Sequence, residues 1–541
     1  VPTLKQLVKT HTGLVFLIPY ALIMVFLGFS DSALQLDEGA DTFISSTILK
    51  YGLPYHQDET VYTMEEGIVR DDKLFIYRTW FPYYLQASSL FLFGKTTFAA
   101  RLPFALSGVL SAIALYFFTL KLTKKKSTAF LATLFLASSV PALIYFRTAR
   151  YIGLPILLTI LLLYCYITIY EKKHWNPWPL TLVSIIYFHT MYVAFAGVIL
   201  GVIIHFYINR KSTTKNNYKY AAQAAVVTAI FTLPWLWFNF AIFEKVSEFY
   251  LSANDQIDTT NWRFLKHLAG FLFQLNNYTF PLILLPLLLV KSLRPYRTEI
   301  QLCLFCTAGL IFVSLLHTIP LQQYIAGSFP LWCILLALLI IEGFRSSTIR
   351  YAITATLVLT NLIHIGPLLS VKEVLSANPQ WLNKNSYMMD ISKSFTREIK
   401  FKSVFYEYLF EISNTYKGPL DEIVAFLKTH GKPGDSCYID TERESLNFYT
   451  EMKVILRSDL KVEEPPDWIV LRGNDWNAIE GNSPSPTAKI LREIVSRNTY
   501  SKIALNAPPV RVNNSYDIQI HLFRSPSSAD KIVIYKRADY S

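Results

Sequence analysis

Apolar residues in this chain gather in long runs separated by short polar connections. The runs fall at roughly 13–29, 99–120, 127–146, 151–170, 178–188, 190–208, 220–240, 268–290, 299–316, 325–342 and 351–369. A bilayer core is crossed by about 20 apolar helical residues, so the runs predict about eleven transmembrane helices. The two runs flanking His189 are short, and the count carries an uncertainty of about one there. The first run follows Lys5 and Lys9 and lacks a small-residue cleavage pattern. It is expected to stay as a first span rather than leave as a signal peptide.

The connections sort by charge. Lys121, Lys124, Lys125 and Lys126 form one cluster, Lys172 and Lys173 a second, and Arg210, Lys211, Lys215 and Lys219 a third. Lys291, Arg294 and Arg297 form a fourth, and Arg345 and Arg350 a fifth. Alternate connections are nearly free of Lys and Arg. The positive-inside rule therefore puts the N-terminus and these clusters in the cytoplasm. Eleven spans then leave the chain after about residue 370 outside. The expected fold class is a polytopic α-helical membrane bundle over 1–370 with a C-terminal extracytoplasmic α/β domain over 371–541. A first outer loop covers 30–98, with an amphipathic stretch from Phe81 to Phe93, and a second covers 241–267.

Periodicity in the C-terminal part changes between helix-like and strand-like. A helix is expected from Pro419 to Lys428, behind an acidic first turn and stopped by Gly431 and Gly434. Strands are expected at Ser436–Ile439, Lys453–Leu456 and Trp468–Leu471, a helix at Thr487–Ser496, and strands near Ile518–Phe523 and Ile532–Tyr535. No GxGxxG, P-loop or paired CxxC motif occurs there.

Composition agrees with a membrane protein: 52% of the 541 residues are hydrophobic, 15% aromatic and only 17% charged. The net charge of +12 sits largely in the orientation clusters, which argues against a nucleic-acid partner. Of five cysteines only Cys437 lies in the C-terminal part, so that domain has no internal disulfide. Cys303 and Cys306 have CxxC spacing inside an apolar run, where small core residues are the plainer reading.

Ionisable residues at a membrane boundary cost free energy and usually have a reason to be there. Asp37 and Glu38 follow the first span by about eight residues. Adjacent carboxylates can supply a general base or a divalent-cation site; an ordinary acidic loop is the plain alternative. Arg147, Arg150 and Tyr151 lie on the outer side between spans, against the charge rule. Two guanidinium groups there suit a phosphate or carboxylate, or an internal salt bridge to Asp37 or Glu38. Arg78 opens the amphipathic stretch. His189 is at the outer turn of a span, where a structural hydrogen bond is the commoner role. Gln323 and Tyr324 open a late span from outside, and Tyr324 alone reads as an aromatic-belt residue. Among the other acidic pairs, Asp71–Asp72 and Glu463–Glu464 read as solvated, with Glu65–Glu66 kept as a possible metal or acceptor contact.

The acidic pair after span one, the run from Phe93 and Gly94 through Arg101, Leu102, Pro103 and Gly108 into span two, and Arg147, Arg150 and Tyr151 before span four resemble the GT-C glycosyltransferases. Within them the chain is most similar to the branch of protein O-mannosyltransferases and the lipid A aminoarabinose transferase. Tyr324 followed by Pro330, and the single domain after many spans, also fit that branch. The resemblance covers roughly 1–370. It implies Asp37, with Glu38 beside it, as the catalytic base or its organiser, and Arg78 and Tyr324 on the donor phosphate, with Arg147 and Arg150 as further candidates. Tyr151, His189 and Gln323 are other pocket candidates. Where aminoarabinose transferases carry a Glu-Lys-Pro-Pro stretch, this chain has Tyr77, Arg78, Thr79 and Trp80. No metal-ligating glutamate is carried over at that position, and a divalent cation is the single cofactor left open.

Topology narrows the donor independently. Nucleotide sugars are cytoplasmic, whereas the candidate site faces outward. A sugar on a polyprenyl phosphate satisfies that constraint. The expected activity is inverting transfer of a hexose or pentose to a lipid, glycan or protein hydroxyl at the outer face of a bacterial inner or plasma membrane, among membrane lipids. The alternative is a transporter or flippase of lipid-linked or small anionic substrates, although its site would be expected near the bilayer midplane. An anchor for the soluble domain would need one span, and no nucleophile constellation supports acyl or phosphoethanolamine transfer.

Overall fold

A computed structural model of the chain describes residues 11–61, 74–171, 176–210, 215–253, 263–317, 320–360, 403–475, 477–481, 483–507, 513–518, 521–525 and 531–538. It divides into two compact units. The first is Val1–Leu27, Phe104–Ile412 and Asp517–Ile520; the second is Gly28–Pro103, Ser413–Tyr516 and His521–Ser541.

The first unit is helical. Among the described residues of the chain, six helices are long and apolar enough to cross a membrane: Thr97–Thr123, Tyr151–Tyr170, Trp178–Ile208, Tyr218–Asn239, Lys291–Ser314 and Gln322–Gly343. The pair Lys126–Ser138 and Val140–Arg147, bent by 61°, makes a seventh if counted as one span. The apolar runs predicted about eleven, and the difference has local causes. Runs 178–188 and 190–208 form one 31-residue helix, interrupted only by the non-helical Met191 (φ −159°, ψ 89°). Run 268–290 becomes the Arg263–Tyr278 helix followed by 3-10 turns over Leu282–Leu289. Pro281 and Pro286 there have no N–H for an α-helical ladder. Thr12–Phe26 and Ser347–Leu359 are apolar but shorter, and the rest of run 351–369, from 361 onward, lies outside the described residues. The 241–267 loop also differs, since the Lys215–Ala253 helix continues into it.

Close backbone approach joins the Trp178–Ile208 and Arg297–Ser314 helices. A Cβ on Gly201 would lie 2.3 Å from the Cys306 Cα, and one on Gly309 would lie 2.2 Å from the Gly197 carbonyl oxygen. Without a hydrophobic driving force between helices in lipid, such small-residue seams supply the dispersion contact. Cys303 and Cys306 are free and buried, with Cys306 on the seam. The buried Tyr166 hydroxyl meets His205 Nδ1 at 2.7 Å.

In the second unit, five strands form a mixed sheet in the order β2-β1-β3-β5-β4. They are β1 Ser436–Ile439, β2 Lys453–Ile455, β3 Trp468–Leu471, β4 Tyr500–Leu505 and β5 Ile532–Arg537. The parallel trio β2-β1-β3 has Cys437 level with Val454 and Trp468; β5 runs antiparallel to both β3 and β4. Helices Pro419–His430, Arg443–Thr450 and Pro486–Arg497 accompany the sheet. Expected strands 436–439, 453–456, 468–471 and 532–535 appear within a residue or two. The one near Ile518–Phe523 does not: its described residues, 518 and 521–523, form no strand, and β4 takes the place beside β5.

The core of this unit is not built from the C-terminal sequence alone. Ala33, Phe43 and Val61 belong to the same buried cluster as Leu420, Ile423, Leu427, Leu446, Trp468 and Ile534. The Val454 N–H donates to the Thr60 carbonyl at 2.8 Å. The segment 28–103 thus folds as part of the sheet domain. It carries two helices, Leu36–Tyr51 and Phe81–Phe93; the second coincides with the expected amphipathic stretch.

Adding a methyl group to the Gly201 seam forces backbones apart, which costs about 1–3 kcal/mol. Gly201→Ala should lower the thermal midpoint in detergent, whereas Gly343→Ala, where a Cβ meets nothing within 4 Å, should leave it in place. Equal midpoints for the two variants would refute the seam.

Candidate active site

The candidate base sits at the start of the Leu36–Tyr51 helix. Gln35 is the N-cap, and Asp37 and Glu38 occupy the first turn, where carboxylates favour the positive end of the helix dipole. The Asp37 N–H donates to Gln35 Oε1 (3.2 Å), and the Gln35 N–H donates back to Glu38 Oε2 (3.1 Å). This reciprocal arrangement satisfies two orphan donors of the first turn.

The two acidic residues have different surroundings. Glu38 is 1% exposed and is bound by Arg101 in a fork: Nε donates to Oε1 and Nη2 to Oε2, both at 2.8 Å. Arg101 also donates from Nη1 to the Phe29 carbonyl at 2.6 Å and from Nη2 to that of Ala33 at 3.3 Å. Asp37 is half-buried and accepts a hydrogen bond from the Tyr516 hydroxyl at 2.8 Å.

Arg78 joins the same helix. Its Nη1 donates to Asp41 Oδ1 at 2.8 Å, and the Tyr83 hydroxyl reaches that oxygen at 3.1 Å. Asp41 is one turn beyond Asp37, a spacing that shares a helix face. The structure therefore brings Asp37, Glu38 and Arg78 to one helix end. Sequence reasoning passed over Asp41, although its i,i+4 spacing was a readable signal. Arg101 was read only as part of a motif; its charge at the start of an apolar run was the clue to a buried partner. Tyr516 left no signal.

The remaining candidates lie in the first unit. Arg147 Nη1 donates to the Val25 and Leu27 carbonyls (2.9 and 2.7 Å), which satisfies groups at the C-terminal end of Thr12–Phe26. Arg150 is 2% exposed, with its guanidinium 5.6 Å from the Tyr151 ring centre. His189 donates from Nε2 to the Phe231 carbonyl at 3.0 Å. Tyr324 belongs to a 3-10 segment, Gln322–Ser328, and its ring stacks on His317 with centroids 3.6 Å apart. Gln323 beside it is buried, and its Oε1 has no hydrogen-bond partner among the described residues.

Among the described residues no group of three or more His, Cys, Asp or Glu side chains is arranged to hold a metal ion. Arg101 binds both oxygens of Glu38, and Arg78 binds Oδ1 of Asp41. Glu65 and Glu66 lie outside the described residues.

Similarity to other proteins can be set beside this geometry. The structure of ArnT from Cupriavidus metallidurans bound to undecaprenyl phosphate matches at 14% identity and a TM-score of 0.54, over 97% of this chain and 98% of that one. The apo form of the same protein matches at 13% identity and 0.54, over 98% and 99%. The chain shares its fold with ArnT over nearly the whole length of both. What is shared is the fold, in this chain a helical unit with long apolar helices and a separate unit built on a five-stranded sheet. Residues 78–238 match the family described as dolichyl-phosphate-mannose-protein mannosyltransferase. The archaeal oligosaccharyltransferase AglB from Archaeoglobus fulgidus is more distant, at 13% identity and a TM-score of 0.45, over 92% of this chain and 69% of that one. No curated protein matches the chain.

Removing the charge of Glu38 leaves a buried guanidinium uncompensated, at a cost of about 3–5 kcal/mol. Glu38→Gln should therefore lower the thermal midpoint sharply, and the double variant Glu38→Leu with Arg101→Met should recover most of the loss. A Glu38→Gln protein as stable as wild type would show that the pair is not sealed from solvent.

Proposed function

We propose that the chain is an inverting glycosyltransferase that moves a sugar from a polyprenyl-phosphate donor to an acceptor hydroxyl at the extracytoplasmic face of the membrane. The observation that carries this reading is the near end-to-end sharing of fold with ArnT, whose structure contains undecaprenyl phosphate. The family match over 78–238 and the carboxylate at the head of the Leu36–Tyr51 helix support it. The Lys cluster that follows the Thr97–Thr123 helix favours the cytoplasm at that end, and the extracytoplasmic placement of Asp37, which precedes that helix in the chain, rests on that rule.

Asp37 is the base. Arg101 takes both oxygens of Glu38, whereas Asp37 is half-buried and accepts a hydrogen bond from the Tyr516 phenol at Oδ2. The acceptor O–H gives its proton to the Asp37 carboxylate as its oxygen attacks the anomeric carbon. The bond from that carbon to the phosphate oxygen breaks, and polyprenyl phosphate leaves with the electron pair. The transition state has oxocarbenium character. Fixed positive charge near the departing phosphate stabilises the charge that develops there, a role given to Arg78. Its present pairing with Asp41 holds the guanidinium in a set orientation. A single displacement with one base inverts the anomeric centre. Tyr324 keeps its phosphate role on the family resemblance and Arg150 on its charge against the orientation rule, and each would appear as a raised donor KM on substitution. Arg147 is left out because its Nη1 serves backbone carbonyls.

Asp37→Asn should fold with an unchanged thermal midpoint and lose about 100- to 10,000-fold in transfer rate, the range of a positioned general base. The assay supplies a polyprenyl-phosphate sugar and measures release of free polyprenyl phosphate, which a flippase would not produce. Wild-type turnover in Asp37→Asn removes that residue from the mechanism; intact donor in the wild-type assay, with sugar lipid moved across vesicles, favours the transporter.

A further inference from the structure

The Tyr516–Asp37 contact joins residues 479 positions apart, and the stretch that presents the phenol is tied down on both sides. Asn513 is fully buried. Its backbone N–H donates to Glu442 Oε1 at 2.6 Å, and its side chain accepts from the Leu420 N–H at 3.2 Å. Its Nδ2 donates to Asp421 Oδ2 at 3.2 Å. Glu442 is held in turn by Arg472 at 2.6 Å, with neither side chain exposed. Burial pushes the Glu442 carboxyl up and the Arg472 guanidinium down, and each charge opposes the shift in the other. On the far side, Asn514 Oδ1 accepts from the Leu522 N–H at 2.9 Å, and Asn514 Nδ2 donates to the Leu522 carbonyl at 3.1 Å.

Asp421 makes this more than a tethered loop. Its Oδ2 takes Asn513, while its Oδ1 accepts from the Ala33 N–H at 2.6 Å. One carboxylate therefore anchors both the stretch that carries Tyr516 and the chain that leads into the Asp37 helix. A second fixed point lies on the helix itself: a Cβ on Gly39 would sit 2.7 Å from the Ser445 backbone nitrogen. With donor and acceptor each pinned to the sheet domain, the separation of the phenol from the carboxylate is set by the fold rather than by side-chain wandering.

We propose that Tyr516 is a positioning residue for the transfer step: its phenol fixes the rotation of the Asp37 carboxylate, so the C-terminal domain takes part in the chemistry. The inference rests on the transferase reading with Asp37 as base. A side chain that must meet an acceptor proton within hydrogen-bond reach gains from being held in one rotamer. A hydrogen bond donated to a carboxylate also favours its charged form. Other charged or titratable groups near this helix end include Glu38 with Arg101 and Asp41 with Arg78 on the segment 28–103, and Asp421 and Tyr449 on the helices Pro419–His430 and Arg443–Thr450. None of them changes in a Tyr516→Phe protein, so a shift in the pH profile reports the lost phenol.

The test compares full-length Tyr516→Phe with wild type and Asp37→Asn, using a polyprenyl-phosphate sugar as donor. Tyr516→Phe should lower kcat roughly ten-fold or more, the scale on which removal of an orienting partner acts. Donor KM and thermal midpoint should stay unchanged, and the acidic limb of the kcat/KM profile should move to higher pH. Wild-type kcat and an unmoved limb in Tyr516→Phe, with Asp37→Asn inactive, overturn the positioning role while leaving the transferase reading intact. A raised kcat also overturns it, because the phenol would then be competing with the acceptor. So does a fall in thermal midpoint with proportionate loss of donor binding, the mark of a merely structural latch. Wild-type turnover in Asp37→Asn overturns the inference together with the assignment of the base.

Discussion

A carboxylate and a guanidinium sealed from water decide where the candidate chemistry can sit. Glu38 and Arg101 meet through two parallel hydrogen bonds, and Arg101 donates further to the Phe29 and Ala33 carbonyls and to the Ser32 hydroxyl. Desolvating two charges can cost as much as their attraction returns, so such a pair adds little net stability over apolar residues of the same size. Its effect is on geometry. The guanidinium is planar and presents its donors in a rigid fork, so the chain at 29–33, the first turn of the Leu36–Tyr51 helix and the start of the Thr97–Thr123 helix accept one relative placement. Asp37, next to Glu38 on that turn, inherits its position from the pair.

The same turn is held from the sheet domain. Asp421 takes the Ala33 N–H, and Tyr449 takes the Leu34 N–H through its hydroxyl oxygen at 2.9 Å, which also meets Thr97 Oγ1 at 2.7 Å. Burial pushes that phenol up to about 12, even with Arg101 nearby, so it stays neutral over the physiological range and serves as a fixed dipole. Ala33, Phe43 and Val61 fill the core beneath β1 and β3. The sheet domain is therefore completed by a segment made some hundreds of residues earlier. Until both parts are present, neither the core nor the helix that carries Asp37 has its full set of partners.

How much of this could be read from sequence depends on how far each interaction reaches. Helix Phe81–Phe93 and strands β1 and β3 appeared at the expected residues because their signals are local: apolar periodicity and short apolar strand runs bounded by turns. The Leu36–Tyr51 helix went unread because its apolar content is low, although Gln35 and Glu38 spell a capping box. Span counting failed where a single run was cut by Pro281 and Pro286, and where two runs merged across Met191. Strand β4 was missed, and Ile518–Phe523 taken in its place. Both stretches alternate, but only pairing with β5 decides between them, and that is a tertiary choice. Asp37, Glu38 and Arg78 were legible as boundary charges; what they bind was not.

The division of labour between the two acidic residues follows from these partners rather than from their own chemistry. Adjacent on the chain, Asp37 and Glu38 project from different sides of one helical turn. Glu38 turns toward Arg101 and is consumed as a strut. Asp37 turns toward a loop of the sheet domain and meets a neutral donor. The phenol that donates to Asp37 orients the carboxylate at a smaller cost in basicity than a guanidinium fork like that on Glu38. On the proposed reading Glu38 is the strut and Asp37 the base, and the sheet domain holds both through Asp421, Tyr449 and Tyr516.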